Sequence, residues 1–420
     1  MPALKTTTED LARTVRAVVR RTPVLDVHTH VYPPAFGKLM LWGIEELLTY
    51  HYLVAEVFRR IPPDYDAFYA KSKREQADVI WRQLFLENSP VSEACRGPLT
   101  CMKMLGLDVS VRTLDEARDY FANVTASEYV NVVFEKANVR KVVMTNDPFD
   151  AAEHAVWMKD PSVDPRFATV LRIDPVLCDW PRAATQLRTW GYRVKTKIDA
   201  PTVKETSRFL LDWVGRIRPL YLAASLQYDF TYPDRSPGSR MLRDAVLPVA
   251  RKAGIPFAAM IGVNRQVNPG LRVAGDGVGT CDVGGVERLC RDFPDNRFLV
   301  TMLARENQHQ LCVAARKFGN LMPFGCWWFL NDPSLVEEMT RMRTELLGLS
   351  YVPQHSDARV FDQLMYKWTH SRAVIAKVLI DKYRDLAATG WQVKPDEIER
   401  DVANLFGGNF ERFLADTPKG

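Results

Sequence analysis

The sequence predicts an α/β fold: a (β/α)8 TIM-type barrel with a helical insertion after its first strand. Three observations predict it. From Val139 onward, short apolar runs alternate with amphipathic stretches, as a parallel sheet covered on both faces requires. Counting one run near the N-terminus, there are about eight, the number that closes a barrel. Polar residues recur just past the ends of these runs, at the face where such barrels place their chemistry.

The elements follow in order. Thr6-Thr7-Thr8-Glu9 fits a capping box, and Leu11, Val15, Val18 and Val19 continue at helical spacing. Val24, Leu25 and Val27 suit a buried strand that carries His28 and His30 at its C-terminal end, before Pro33 and Pro34 stop it. Residues 1–38 thus hold the N-terminal helix and first barrel strand. Residues 39–137 form the helical insertion, with apolar spacing over Ile44–Leu48, Leu53–Phe58, Ala77–Leu86 and Leu114–Phe121, the last capped from Thr113. Residues 138–420 supply the remaining barrel and C-terminal helices. Their predicted strands are Val139–Thr145, Phe167–Arg172, Tyr221–Leu226, Ile255–Gly262, Phe298–Leu303, Leu321–Trp328 and Leu349–Pro353. Arg240–Ala253, Gly285–Asp292 and Ser334–Leu347 are helices between them, and a last helix runs from Pro395 to Phe406, where Gly407-Gly408 stops it.

Composition excludes several functions. Nearly half of the 420 residues (47%) are hydrophobic, ample for a large core. The net charge is only +5 and the cations are dispersed, so nucleic acid is not a partner. Seven cysteines with no CxxC pair argue against a disulfide framework and for a reducing compartment. No signal peptide and no segment long enough to span a membrane is evident, so the expected location is the cytoplasm, with no membrane partner.

In an extended chain, residues two apart point to one face, so His28 and His30 project their imidazoles together, as metal ligation needs. The other strand ends carry Asp147, Arg172, Arg265, Arg305, Trp327, Trp328, His355, Asp357 and Arg359. Each has a plainer explanation. Asp147 and Asp357 suit helix caps, Arg305 and Arg359 suit surface ion pairs, and the tryptophans suit the core. Asp357 opposite His28 and His30 would complete a three-ligand metal site with open positions, and Arg359 could fork onto a substrate carboxylate. In the insertion, Thr49-Tyr50-His51-Tyr52 clusters polar aromatics beside a histidine. Gly275-Asp276-Gly277-Val278-Gly279 lacks the spacing of a phosphate-binding loop.

An HxH on the first barrel strand with an Asp after the last is the pattern of the amidohydrolase superfamily. Within it, the sequence resembles the uronate (glucuronate) isomerase family over nearly its whole length. His28-Thr29-His30 resembles the family's HCH, and His51-Tyr52 its His-Tyr in the insertion. Thr145-Asn146-Asp147-Pro148 resembles its TDDP, and Arg172 falls at its strand-end Arg. Trp327-Trp328-Phe329-Leu330-Asn331-Asp332 is close to its WWFND, and Ser356-Asp357-Ala358-Arg359 to its TDSR. Two features depart from the pattern. Tyr52 is followed by Leu53-Val54-Ala55, and Met260-Ile261-Gly262-Val263 replaces a His-containing stretch, with no histidine between His154 and His309. A binuclear centre is therefore not expected.

The resemblance implies interconversion of aldose and ketose sugar acids by proton transfer between C2 and C1. It implies one divalent metal, zinc, on His28, His30 and Asp357. Asp357 also assists ring opening, Tyr52 or His51 moves the proton, and Arg172 and Arg359 with Trp327 and Trp328 hold the substrate. The expected partner is a small-molecule sugar acid, and the expected assembly a homo-oligomer. The rival readings are a mononuclear metal-dependent hydrolase or decarboxylase of the same superfamily, since one barrel hosts many chemistries, and a non-catalytic sugar-acid binder.

Overall fold

The structure is a computed structural model that describes residues 8–416. Its centre is a curled sheet of β1 (Val24–Thr29), β2 (Val139–Asn146), β3 (Phe167–Arg172), β4 (Leu222–Gln227), β5 (Phe257–Asn264), β6 (Gly277–Val278), β7 (Phe298–Met302) and β8 (Leu321–Pro323). Seven strands run parallel in the order β1-β2-β3-β4-β5-β7-β8, and β6 pairs antiparallel with β5. Near-continuous burial of β1, β5 and β7 explains their unbroken apolar runs, because helices cover the sheet. The parallel strands that the sequence predicts therefore lie within a residue or two of their expected places, except the last two.

Those two differ for identifiable reasons. The expected strand Leu321–Trp328 ends at Pro323, because Gly325 turns left-handed (φ 68°) and Trp328 opens a 3-10 turn. A side chain at position 325 would lie 1.9 Å from the His355 ring, so only glycine fits there. The expected strand Leu349–Pro353 has no ladder of its own, since Pro323 and Pro353 lack the N–H that a ladder uses. Its chain still bonds on both sides. Val352 N–H donates to Pro323 O (3.2 Å) and Gly325 N–H to Val352 O (2.9 Å). On the other flank, Asp357 N–H donates to His28 O (3.1 Å) and His30 N–H to Ala358 O (2.7 Å). The buried Arg343 guanidinium donates to Gly325 O (2.8 Å) and Val352 O (3.4 Å) at the join.

Between β1 and β2 the described residues form helices and turns, with one isolated bridge from Leu41 to Val360, the helices including Ile44–Leu48, His51–Val57, Lys73–Trp81, Glu93–Leu105 and Ala126–Ala137. Many of them share a core of Leu53, Val57, Phe68, Ile80, Trp81 and Phe85. The capping box expected at Thr6 lies outside the described residues. The cap expected at Thr113 is not made: the helix Asp115–Ala122 starts behind the buried Leu114, which has no side-chain bond to offer. Genuine capping boxes occur instead at Ser72–Glu75 and Thr125–Glu128. Sequence periodicity also leaves out two long helices, Ala200–Ile217 and Gln363–Ala388. The second packs on Thr8–Arg21, Glu93–Leu105 and Pro333–Leu347, so it is buried around most of its circumference and shows no simple apolar stripe. Gly407 does not stop the last helix. It kinks it (φ 148°), where a Cβ would meet that of Leu25 at 2.8 Å, and the chain continues as Asn409–Ala415.

Glu153 ties the end of β2 to its following helix. Its carboxylate accepts from Asn146 Nδ2 (2.7 Å), Trp157 Nε1 (3.1 Å), Asp147 N–H (2.8 Å) and Tyr32 OH (3.0 Å). An amide cannot accept from all four. Glu153→Gln is therefore expected to lower unfolding stability by about 1–3 kcal/mol, through a buried donor left unpaired. Urea denaturation at pH 8 checks this, and unchanged stability would contradict it.

Candidate active site

The C-terminal ends of β1, β2 and β3, with the loops after β8 and Val352, converge on one place. His28 and His30, two apart at the end of β1, face Asp357 from the far end of the chain. Asp357 Oδ1 lies 3.6 Å from His28 Nε2 and 3.4 Å from His30 Nε2, and one ligand atom from each residue falls within 4.8 Å of the others. Asp357 caps no helix, the plainer alternative; its carboxylate points at the imidazoles, as the metal reading expects.

The surroundings prepare this trio for a cation. Tyr221 OH donates to Val27 O (2.8 Å), so it can only accept from His28 Nδ1 (3.2 Å). A proton on Nδ1 satisfies this contact, with Thr145 Oγ1 (3.3 Å) facing the same nitrogen, and leaves Nε2 with a bare lone pair. His28 Nε2 and Asp357 Oδ1 are buried and have no hydrogen-bond partner among the described residues. Burial pushes His28 down to about 3 and His30 well below its ordinary value, so both imidazoles are neutral at pH 7. Two neutral imidazoles and a carboxylate, with orphaned ligand atoms aimed inward, fit a divalent metal.

Asp357 sits in a strained backbone conformation (φ 50°), which Asp tolerates better than most residues. Asp26, buried in β1, holds the preceding turn by accepting from Ser356 N–H (3.0 Å) and Trp368 Nε1 (2.8 Å). Burial, only partly offset by these hydrogen bonds, raises Asp26 to about 6.

Beside the trio opens a pocket of about 170 Å³ bordered by His30, His51, Arg172, Trp327, Trp328, Asp357 and Arg359. Most of the residues singled out in the sequence are thus brought together. Tyr52 does not border the pocket; its ring lies 4.5 Å from that of His51 and 4.8 Å from that of Tyr50. Arg172 is anchored by two hydrogen bonds to Asp174 Oδ2 (2.9 and 2.5 Å). The ion pair that would account for Arg359 does not form among the described residues; its backbone N–H donates to Gln363 Oε1 (2.8 Å). Arg305 instead pairs with Glu338 on the surface, and Asp147 accepts from Phe149 N–H (2.9 Å) as a turn residue. Sequence reasoning missed Tyr221 and Ser225, both on β4 or just before it, whose polar groups sit within an apolar run. Alternation along that run was the available signal.

Burial, reinforced by the Arg359 charge, pushes His51 down to about 3. Its ordinary value, the one it has in the unfolded chain, is 6.5. The unfolded chain therefore gains a proton that the folded one refuses, and stability drains away as pH falls from 6.5 toward 3. His51→Gln is expected to flatten this part of the acid limb in urea midpoints measured against pH. A limb parallel to that of the wild type would refute the assignment.

Fold and site together define a class, that of the amidohydrolase superfamily: a parallel α/β sheet with an HxH at the end of its first strand and a late aspartate facing it. A uronate isomerase structure from Bacillus halodurans C-125 is 54% identical, covers 98% of this chain and 97% of its own, and superposes with a TM-score of 0.96. The chain belongs to the uronate isomerase family. The fold is also shared with a uronate isomerase from Thermotoga maritima (14% identity, 96% of this chain and 97% of that one, TM-score 0.78). A glucuronate isomerase from Caulobacter crescentus shares it likewise (15% identity, 99% and 96%, TM-score 0.77). No protein-family model matches the chain, and no curated protein does.

Proposed function

We propose that this chain interconverts D-glucuronate with D-fructuronate, or D-galacturonate with D-tagaturonate, by moving a proton between C2 and C1. The observation that carries the reading is the convergence of His28, His30 and Asp357 beside a small pocket bordered by two arginines. Arg172 and Arg359 clamp the substrate carboxylate and hydroxyls, and Trp327 and Trp328 wall the sugar. Asp357 takes the proton of the anomeric hydroxyl and passes it to O5 as the C1–O5 bond breaks. His51, a neutral imidazole at the pocket wall, then removes the C2 proton. The electron pair forms C1=C2 and the charge passes to O1, giving an enediolate. Transfer of the O2 proton to O1 and return of the proton from His51 to C1 complete the ketose. A divalent metal, zinc, held by His28, His30 and Asp357 supplies positive charge to steady the developing oxyanion.

The hydrogen bonds of residues 352–358 to β8 and β1 support a second inference: this segment is the eighth stave of a closed barrel, with residues 39–137 inserted after the first strand. A cytoplasmic location is supported by seven unpaired cysteines and by the described residues holding no helix long and apolar enough to cross a membrane.

Proton NMR with glucuronate and with galacturonate in D2O, with and without added zinc, tests the activity. Ketose resonances and loss of the C2 proton are expected for one of the two acids. Binding without exchange, or neither, would contradict the reading.

A further inference from the structure

Lys367 is a buried base that the proposed chemistry leaves unused. It lies in the first turns of the helix Gln363–Ala388, only 3% exposed, among the buried Leu364, Met365, Tyr366 and Trp368. Its ammonium makes one hydrogen bond, to the Ser356 carbonyl at 2.6 Å, and stands 5.6 Å from the centre of the Tyr52 ring. It forms no ion pair among the described residues. Burial pulls it down to about 8, so it is still charged at neutral pH. Asp357, Asp26 and Glu93 favour its charge from beyond ion-pair distance but do not offset its burial, so the ammonium opposes folding, and an apolar side chain of the same length would fill the space more favourably. Fold stability therefore gives no reason for a lysine here.

What it touches does. The Ser356–Asp357 peptide is where the chain enters its left-handed turn, with Asp357 at φ 50°. The Ser356 carbonyl also accepts from Asn331 Nδ2 (2.9 Å), Ser356 N–H is held by Asp26, and Ser356 Oγ accepts from Ala358 N–H (3.1 Å). Asp357 N–H is held by His28 O. Of all these partners, only Lys367 brings a positive charge to the carbonyl, and a charge-assisted bond is the stronger kind. We infer that Lys367 is a positioning residue: its ammonium, seated on the Ser356 carbonyl beside Tyr52, holds Asp357 in the strained turn that aims its carboxylate at His28 and His30. The kinetic consequence rests on the role given to Asp357 above; the geometric one does not.

The test is Lys367→Met, examined by kinetics, thermal unfolding and crystallography. Turnover is expected to fall about ten- to a hundredfold with KM within threefold, because Lys367 touches no substrate. The melting temperature is expected to hold or rise, since a buried charge has gone. The crystal structure is expected to show Asp357 turned away from the histidines. Asn331→Ala removes the other side-chain donor to the same carbonyl and is expected to give a smaller loss of the same kind. Lys367→Met with kcat within threefold of wild type, or with Asp357 unmoved, overturns the inference. A wild-type protein inert toward both uronates would sink the proposed function, yet the position of Asp357 in the variant would still decide this point.

Discussion

Asp357→Asn is expected to leave the fold intact and to lower kcat by about 10²–10⁴. Asparagine has the shape of aspartate and, like it, tolerates the left-handed backbone that residue 357 adopts. The bonds that hold the turn run through the backbone and through Asp26, Asn331 and Lys367, not through the Asp357 carboxylate. What the substitution removes is the negative charge facing two neutral imidazoles, and with it both the proton acceptor for ring opening and the third metal ligand. Metal content should fall together with turnover. Ketose formation measured by NMR checks the rate, and activity within tenfold of wild type would remove Asp357 from the chemistry.

Arg359→Met is expected to raise KM about ten- to a hundredfold with a smaller loss in kcat, because a charge-assisted hydrogen bond to the substrate carboxylate disappears. Arg359 borders the pocket and makes no ion pair among the described residues, so its guanidinium is available to a ligand. Lysine should restore little, since a point charge cannot fork onto a carboxylate. Arg172→Met should behave differently. It leaves Asp174, which also accepts from Ser225 N–H (2.9 Å), without its cation, so stability falls along with affinity. Steady-state kinetics on both variants, with thermal unfolding of each, separates the two arginines. An unchanged KM in Arg359→Met would show that the carboxylate binds elsewhere.

The parallel strands were legible because burial on both faces writes itself as an apolar run, as in Phe167–Arg172 and Phe298–Met302. The metal-type trio was legible because an HxH at a strand end needs only the two-residue repeat, and Asp357 follows the last apolar run. What stayed hidden depends on tertiary context. Prolines 323 and 353 interrupt hydrogen bonding without interrupting apolarity, so the final strands look longer in sequence than they are. The helix Gln363–Ala388 is enclosed by several others, so its buried set, Lys367 included, follows no single face. Tyr221 reads as core, and only the structure shows its hydroxyl bonded between Val27 O and the ring of His28.

The most direct test is X-ray absorption at the zinc edge on protein loaded with one equivalent of zinc, alongside the Asp357→Asn and His28→Ala variants. One zinc per chain, with two imidazole ligands and oxygen completing its shell, is expected for the wild type, and weakened or lost binding in both variants. Full occupancy with an unaltered ligand shell in either variant would show that these residues do not share a cation.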